Sequence, residues 1–233
     1  AQVVDRILAL LPFEAPFFEA AGIPVDFVGH PILESESAQG DATRFPLDAP
    51  GLAVLPGSRR GEVVRHLPIF RAALPEGFTP VVALAGTVAE EVRAGTADWG
   101  ARYVRTPLEK ADALAACRAG LIKSGTSSLE AAVAGLPHVV AYRMNPVTGW
   151  LARRLVKLPH ASLVNLLAGR EVAPECLLEE CTPERLRTAL RPLLEEPAAR
   201  ERQQAGFRLA LERLSPPQGL PSEAAADAVL KML

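Results

Sequence analysis

From residue 51 onward, apolar runs without polar alternation recur along the chain, each separated from the next by a helix-like stretch. The runs fall at 52–55, 80–84, 101–104, 119–122 and 138–142, and the helix-like stretches at 60–74, 87–95, 107–117 and 127–134. A strand that is apolar on both faces has to be covered on both faces, and helical crossovers supply that cover. The alternation therefore predicts an α/β fold, a Rossmann-like doubly wound parallel sheet. Right-handed crossovers place its ligand crevice at the carboxyl ends of the strands. Past residue 142 the pattern turns mainly helical, at 147–157, 171–180, 183–195 and 198–214. A Pro/Gly-rich break at 215–221 precedes a last short helix at 222–232.

The beginning of the chain reads differently. Ile7-Leu8-Ala9-Leu10-Leu11 is a short buried-strand run stopped by Pro12, residues 14–21 are helix-like, and Gly22 is a helix stop. A second strand at 25–28 ends at Gly29-His30-Pro31. One β-α-β unit cannot bury both faces of its strands alone. Residues 1–33 are therefore expected to close a larger N-terminal Rossmann domain or to dock on another subunit. Residues 34–50, polar and punctuated by Pro and Gly, read as a linker to a domain over 51–214. Residues 215–233 read as a C-terminal helix returning toward the N-terminal domain or a partner subunit.

Composition narrows the function classes. The chain has 233 residues, 49% of them hydrophobic, and a formal net charge of -2, enough for one full core plus part of a second. A nucleic-acid binder would usually carry a strong basic excess, so no nucleic-acid partner is expected. No apolar run reaches the roughly 20 residues of a membrane span, and no signal-peptide order of basic, apolar and small-residue regions is visible. Cys117, Cys176 and Cys181 make an odd count that fits a reducing cytoplasm. Cys176 and Cys181 fall short of the ligand number a zinc site needs, so neither a metal nor a cofactor is expected. His30, His66, His138 and His160 are scattered and support no hydrolase triad.

Three segments carry polar groups where such a sheet would bind a ligand. Pro56-Gly57-Ser58-Arg59-Arg60 follows the first strand and precedes a helix. Glycine permits a tight turn, a helix N-terminus offers unpaired N–H groups to an anion, and an arginine adds bidentate contacts to phosphate. Without a Gly-Lys-Ser/Thr ending it is not a Walker A loop, and it reads equally as a strand-to-helix turn with solvated arginines. Ser124-Gly125-Thr126-Ser127-Ser128 repeats the arrangement after the fourth strand, with Glu130 close behind. There the hydroxyls and amides suit a diphosphate and the carboxylate suits a ribose diol, but Ser127-x-x-Glu130 is also a capping box. Asn165-Leu166-Leu167-Ala168-Gly169-Arg170-Glu171 offers Asn165 to a base, sugar or phosphate and Glu171 to sugar hydroxyls. On residue logic alone both lean toward turn and helix-terminus roles. The run over 147–157 carries Arg153, Arg154 and Lys157 among apolar bulk, which suits anionic lipid or a phosphorylated acceptor, or simply a surface helix.

These segments, taken in order, resemble a known family. The run from Val4 to Glu14, Phe27-Val28-Gly29-His30-Pro31, Leu55-Pro56-Gly57-Ser58-Arg59, and Ser124-Gly125-Thr126 with Leu129-Glu130 resemble lipid-A-disaccharide synthase. So do Val140-Ala141-Tyr142-Arg143, the run from Trp150 to Lys157, the run from Asn165 to Glu171, and Cys181-Thr182-Pro183-Glu184. The likeness covers about residues 3–195. It implies a two-domain GT-B glycosyltransferase that condenses UDP-2,3-diacylglucosamine with 2,3-diacylglucosamine 1-phosphate (lipid X), releasing UDP and forming a β-1,6 link. The implied mechanism is inverting and metal-independent, with in-line attack of the acceptor hydroxyl on C1 while fixed donors stabilise the departing diphosphate.

The implied donor-binding set is Gly57, Ser58, Arg59, Ser124, Gly125, Thr126, Glu130, Asn165 and Glu171. The resemblance also implies a cytoplasmic enzyme associated peripherally with the inner membrane face, and a homodimer with exchanged C-terminal segments. Its catalytic base is expected in the N-terminal domain, of which only the last β-α-β unit is present. No acid here is nominated for that role, and this chain alone is expected to be inactive. Two alternatives stand beside this reading. One is another UDP-N-acetylglucosamine-using GT-B transferase or epimerase, and the other a non-catalytic remnant that only oligomerises.

Overall fold

The structure is a computed structural model that describes residues 4–145 and 159–232. The helix expected over 147–157, with its Trp150–Lys157 run, lies outside the described residues. Among the described residues there are two parallel sheets. The small one pairs β1 (Ile7–Ala9) with β2 (Val25–Phe27), and α1 (Ala15–Glu19) connects them. The large one contains β3 (Gly51–Leu55), β4 (Thr79–Ala83), β5 (Arg102–Val104), β6 (Cys117–Lys123), β7 (His138–Tyr142) and β8 (Glu175–Leu177), all parallel.

Strand order in the large sheet is β5-β4-β3-β6-β7-β8. The chain runs outward from β3 to β5, returns to the middle at β6, then runs outward the other way. Right-handed crossovers consequently put α2 (Arg60–Ala73) and α3 (Ala89–Gly95) on one face. They put α4 (Pro107–Ala116), α5 (Thr126–Val133) and α6 (Leu163–Ala168) on the other. The core follows this division. Val63, Leu67 and Phe70 of α2 pack on Leu52, Val54, Val82 and Leu121, together with Leu186 and Leu190 of α7 (Pro183–Glu195). On the opposite face Ala113 and Leu114 of α4 and Ala131 of α5 pack on Ala53, Leu55, Val81 and Ile122. Alternate residues of β3 thus serve opposite cores, as a strand buried on both faces requires.

The helices begin where local chemistry lets them. Thr106 and Glu109 form a reciprocal capping box at α4, with Pro107 in the first turn. Ser162 caps α6, and Gly169 ends it in the left-handed conformation at φ 68°. Thr182 caps α7. Then α8 (Pro197–Glu212) covers α5 and α6, with Phe207, Ala210 and Leu214 meeting Leu129, Val164 and Leu167.

One expectation is corrected, and one segment is more ordered than its composition announces. The helix expected at 171–180 is absent: residues Glu175–Leu177 form the sixth strand and Leu178–Glu180 a single 3-10 turn. Pro174 cannot donate within a helix, while its carbonyl accepts from Val140 N–H at 2.9 Å and draws the segment onto the sheet edge. The stretch read as a linker is also not free. It holds 3-10 turns at Glu36–Gln39 and Ala42–Arg44, after another at Pro31–Glu34. Asp112 of α4 receives Arg44 Nε at 2.9 Å, Arg44 Nη2 at 2.6 Å and Asp41 N–H at 2.9 Å. Gly40 lies so close to α4 that a Cβ there would stand 2.3 Å from the Ala111 carbonyl oxygen.

The N-terminal unit meets the C-terminal end of the chain. His30 N–H donates to the Leu214 carbonyl at 3.0 Å. Glu34 accepts from Ser222 N–H at 2.8 Å and Ser222 Oγ at 2.6 Å, holding the start of α9 (Pro221–Leu230). Among the described residues no helix is long and apolar enough to cross a membrane.

Candidate functional site

Strand order reverses between β3 and β6, and helices leave to opposite faces there, so the carboxyl ends of the strands are left open. A cleft of about 250 Å³ lies at this edge of the sheet. Its floor is Leu55, Leu84 and Val104 at the ends of β3, β4 and β5, and its walls include Gly57, Ser58, Thr106, Lys110, Ser127 and Glu130. Thr87 Oγ1 donates to the Ser58 carbonyl at 2.9 Å and ties the turn after β4 to the turn after β3.

The N-termini of α2 and α5 both open onto this edge, and neither has a side-chain cap among the described residues. Their first N–H groups are therefore available to an anion, in contrast to α4, α6 and α7, whose caps are filled. Two glycines make the approach possible. Gly57 has φ 116° and Gly125 φ 144°, conformations that L side chains rarely adopt.

Among the described residues, charge at this edge includes an ion pair on each face. On the α4/α5 face Lys110 Nζ lies 2.9 Å from Glu130 Oε1. On the α2 face Lys123 Nζ lies 3.0 Å from Glu62 Oε1, and Arg59 Nη1 donates to the same oxygen at 3.1 Å. Burial opposes ionisation of Glu62, but Lys123 and Arg59 outweigh it and hold its carboxyl below the ordinary carboxylate range. Beneath this pair His66 is fully buried, and its Nε2 accepts from Arg143 N–H at 2.9 Å. That bond fixes the proton on Nδ1. Burial lowers the His66 pKa from 6.5 to about 4, although the carbonyls of Glu62 and Pro56 act in the other direction.

The structure separates the residues expected from sequence into three groups. Gly57, Ser58 and Glu130 line the cleft. Arg59, Ser124, Gly125 and Thr126 sit in the two turns flanking it, although the Ser124 hydroxyl is engaged, donating to the Ala161 carbonyl at 3.0 Å. Asn165 and Glu171 lie elsewhere. Asn165 is fully buried. Its Oδ1 accepts from Val172 and Ala173 N–H at 2.8 and 2.9 Å, and its Nδ2 donates to Ala173 O and Glu175 Oε1 at 2.7 and 2.8 Å. All four hydrogen bonds its side chain can make are thereby used. Glu171 is exposed on the connection into β8. Its neighbour Val172 shares Gln203 Nε2 with the His138 carbonyl, at the amino end of β7 and opposite the cleft.

A further correction concerns Glu130. The Ser127–Glu130 capping box does not form, because α5 starts earlier, at Thr126 with Gly125 as its cap residue. Lys110, Thr106, Arg105 and Ala85-Gly86 line the cleft as well and were missed. Only Thr106 had a legible signal, since Thr-Pro-x-Glu is itself a capping-box pattern that announces a helix N-terminus at a strand end. Cys117, Cys176 and Cys181 are buried free thiols, and among the described residues no group of three or more His, Cys, Asp or Glu is placed to hold a metal ion.

A doubly wound parallel sheet with uncapped helix ends at its reversal point is a Rossmann-like domain, and it has the fold of the corresponding domain of GT-B glycosyltransferases. Solved structures with this fold include the calicheamicin glycosyltransferase CalG4, at TM-score 0.54 and 22% identity over 98% of this chain and 52% of that one. Another is Anabaena Alr3699/HepE in complex with UDP-glucose, at TM-score 0.59 and 13% identity over 99% of this chain and 64% of that one. The family is given by sequence: the model for Lipid-A-disaccharide synthetase matches residues 1–229, and the chain belongs to that family. The lipid-A-disaccharide synthase of Gluconobacter oxydans (strain 621H) is 44% identical over 243 residues, covering 98% of this chain and 59% of the relative. That of Rhodospirillum centenum (strain ATCC 51521 / SW) is 42% identical over 247 residues, covering 100% and 62%. The chain thus spans about three fifths of the length of these curated relatives.

Proposed function

We propose that the cleft between the turns 57–59 and 124–126 binds the UDP moiety of a nucleotide sugar, and that the chain is the donor-binding part of a lipid-A-disaccharide synthase. The observation that carries this reading is the pair of uncapped helix N-termini, of α2 and α5, at one reversal point. Their amides and Arg59 meet the diphosphate, and Glu130 accepts hydrogen bonds from the ribose hydroxyls. Family membership and the UDP-glucose complex of Alr3699/HepE support the choice of nucleotide.

In the whole protein the donor would be UDP-2,3-diacylglucosamine and the acceptor 2,3-diacylglucosamine 1-phosphate. The acceptor hydroxyl, losing its proton to a base outside the residues assigned here, attacks C1 in line, the C1–O bond to the diphosphate breaks, and the helix ends take up the negative charge that develops on the departing UDP. No acid of this chain is assigned as the base. Asn165 and Glu171 are left out of the binding set because of where they lie. Both substrates carry acyl chains, which supports work at the cytoplasmic face of the inner membrane. Exposed Leu220, Val229, Leu230 and Met232 at the C-terminal end support a dimer that exchanges this segment.

Calorimetric titration of the chain with UDP tests the central reading. Saturable binding is expected, and no detectable heat at millimolar UDP would overturn it. Light scattering tests the dimer, against which a clean monomer would count.

A further inference from the structure

The Glu62–Lys123 pair has a position that the donor reading does not yet use. Glu62 rises from the first turn of α2, and its Oε2 lies against the 57–59 turn, where a Cβ on Gly57 would stand 2.6 Å from it. Lys123 ends β6, and its Nζ lies against the 124–126 turn, 3.4 Å from where a Cβ on Gly125 would be. The two side chains, 12% and 14% exposed, meet at 3.0 Å. One ion pair therefore spans both glycine turns across the reversal point of the sheet.

The partners of the carboxylate are unevenly placed. Oε1 takes both cations, Lys123 and Arg59, whereas Oε2 is buried with no hydrogen-bond partner among the described residues. A buried carboxylate oxygen without a partner is unfavourable. An amide in this place could still offer one oxygen to Lys123 and Arg59, but it would carry an N–H donor where Oε2 stands and no charge to set against the two cations. Without it Arg59 and Lys123 would repel each other beside two positive helix ends. The cations also differ in freedom: the Arg59 side chain is 79% exposed and Lys123 is held deep, beneath the Tyr142 ring at 5.3 Å.

Resting on the donor reading above, we propose that Glu62 is a positioning residue for the diphosphate. It fixes Lys123 between the two turns and keeps Arg59 at the mouth of the site. Arg59 then exchanges the carboxylate for a ligand phosphate, while Lys123 stays. No covalent bond changes in this exchange. Selectivity follows: a ligand with two adjacent phosphates can engage Arg59 and the Lys123-braced turn together, whereas one with a single phosphate engages only one of them.

The test is the ratio of UDP to UMP affinity, read by calorimetry on the whole chain before and after Glu62→Gln. We expect UDP binding to weaken about tenfold and UMP binding no more than about twofold, so that the ratio falls at least about fivefold, in line with loss of a charge-assisted contact. The thermal midpoint is expected to fall as well, because Lys123 loses its counter-charge, so the ratio of the two affinities and not the stability is the readout. If Glu62 were only structural, both affinities would fall alike and the unchanged ratio would overturn the proposal. Tighter UDP binding, the result of removing a repelling anion, would overturn it too. Should Glu62→Gln fail to fold, Lys123→Gln is expected to lower the same ratio, and an unchanged ratio there is equally fatal. A wild-type chain that binds neither nucleotide would overturn the donor reading itself, and this proposal with it. Binding by the wild type with an unaltered ratio in the variants removes this proposal alone.

Discussion

Lys110 Nζ lies 2.9 Å from Glu130 Oε1, joining α4 to α5 along one wall of the cleft. Each side chain is 24% exposed, so the pair stands at the water boundary and not inside the core. Its existence sets aside one of the two roles that the sequence allows Glu130, the cap. A capping carboxylate would turn back to the backbone at its own helix start. This one reaches to a neighbouring helix, and Lys110 engages only Oε1.

The Glu130→Gln substitution separates ligand binding from stability. An ion pair this exposed contributes little to folding, so the unfolding midpoint in urea should shift by no more than about 0.5 kcal/mol. UDP binding should weaken by more than about 1 kcal/mol, or at least fivefold, because a charged acceptor for the ribose hydroxyls is lost. Calorimetry on the variant checks this. Unchanged affinity would leave Glu130 with its Lys110 contact alone.

Gly57→Ala should damage both the turn and what leans on it. At φ 116° an alanine is strained, and its Cβ would stand 2.6 Å from Glu62 Oε2. Strain of this kind costs about 1–3 kcal/mol. The carboxylate would have to move, loosening its hold on Lys123 and Arg59. Lower stability in urea together with weaker UDP binding is expected; a variant with wild-type values for both would refute the account of this turn.

Much of the sheet was legible because its strands are apolar on both faces and its helices obey one period. Five of the six strands of the large sheet fall within two residues of their expected positions, and β7 matches at both ends. The sixth was not legible. Residues 175–177 join the edge through backbone bonds from Val140 and through the Asn165 amide, long-range partners that no local periodicity records. The docked stretch before β3 was hidden for the same reason, since Asp112 lies 68 residues from Arg44. In the site, the two glycine turns could be read from small residues at strand ends. Lys110 could not, because its role depends on α4 lying beside α5. Asn165 shows the reverse difficulty: within a motif that resembles a binding element, its side chain is held in a buried network.

Asn165→Leu should therefore act on folding and leave the cleft alone. The substitution strands the N–H groups of Val172 and Ala173 and the carbonyl of Ala173, all paired with Asn165 in the native protein. Each unsatisfied buried group costs about 1–3 kcal/mol, so a loss of at least about 3 kcal/mol is expected from chemical denaturation. Under conditions where the variant is folded, its UDP affinity should match that of the wild type. A stable variant with impaired UDP binding would restore Asn165 to the donor site.

The buried histidines make stability depend on pH in a window set by their own shifts. Burial lowers both His66 and His138 from 6.5 to about 4. His138 is fully enclosed, stacked on Phe207 at 4.9 Å with Nδ1 at 2.9 Å from the Leu136 carbonyl. A folded pKa below the unfolded one means that the unfolded chain takes up protons first as pH falls. The stabilisation is therefore complete above 6.5, shrinks between 6.5 and about 4, and is gone below that. Glu62 and Asp112, whose carboxyl pKa values are lowered from 4.5 and 3.8, keep their charge through most of this window. Between about pH 7 and about pH 5 each ring should account for about 2 kcal/mol of lost unfolding free energy. Urea unfolding at both pH values checks the sum, to which the lowered pKa of His30 adds in the same direction, and His138→Leu should remove about 2 kcal/mol of the dependence. A wild-type stability that stays flat across this interval would mean that both rings accept protons without leaving their places, contrary to the burial seen for each.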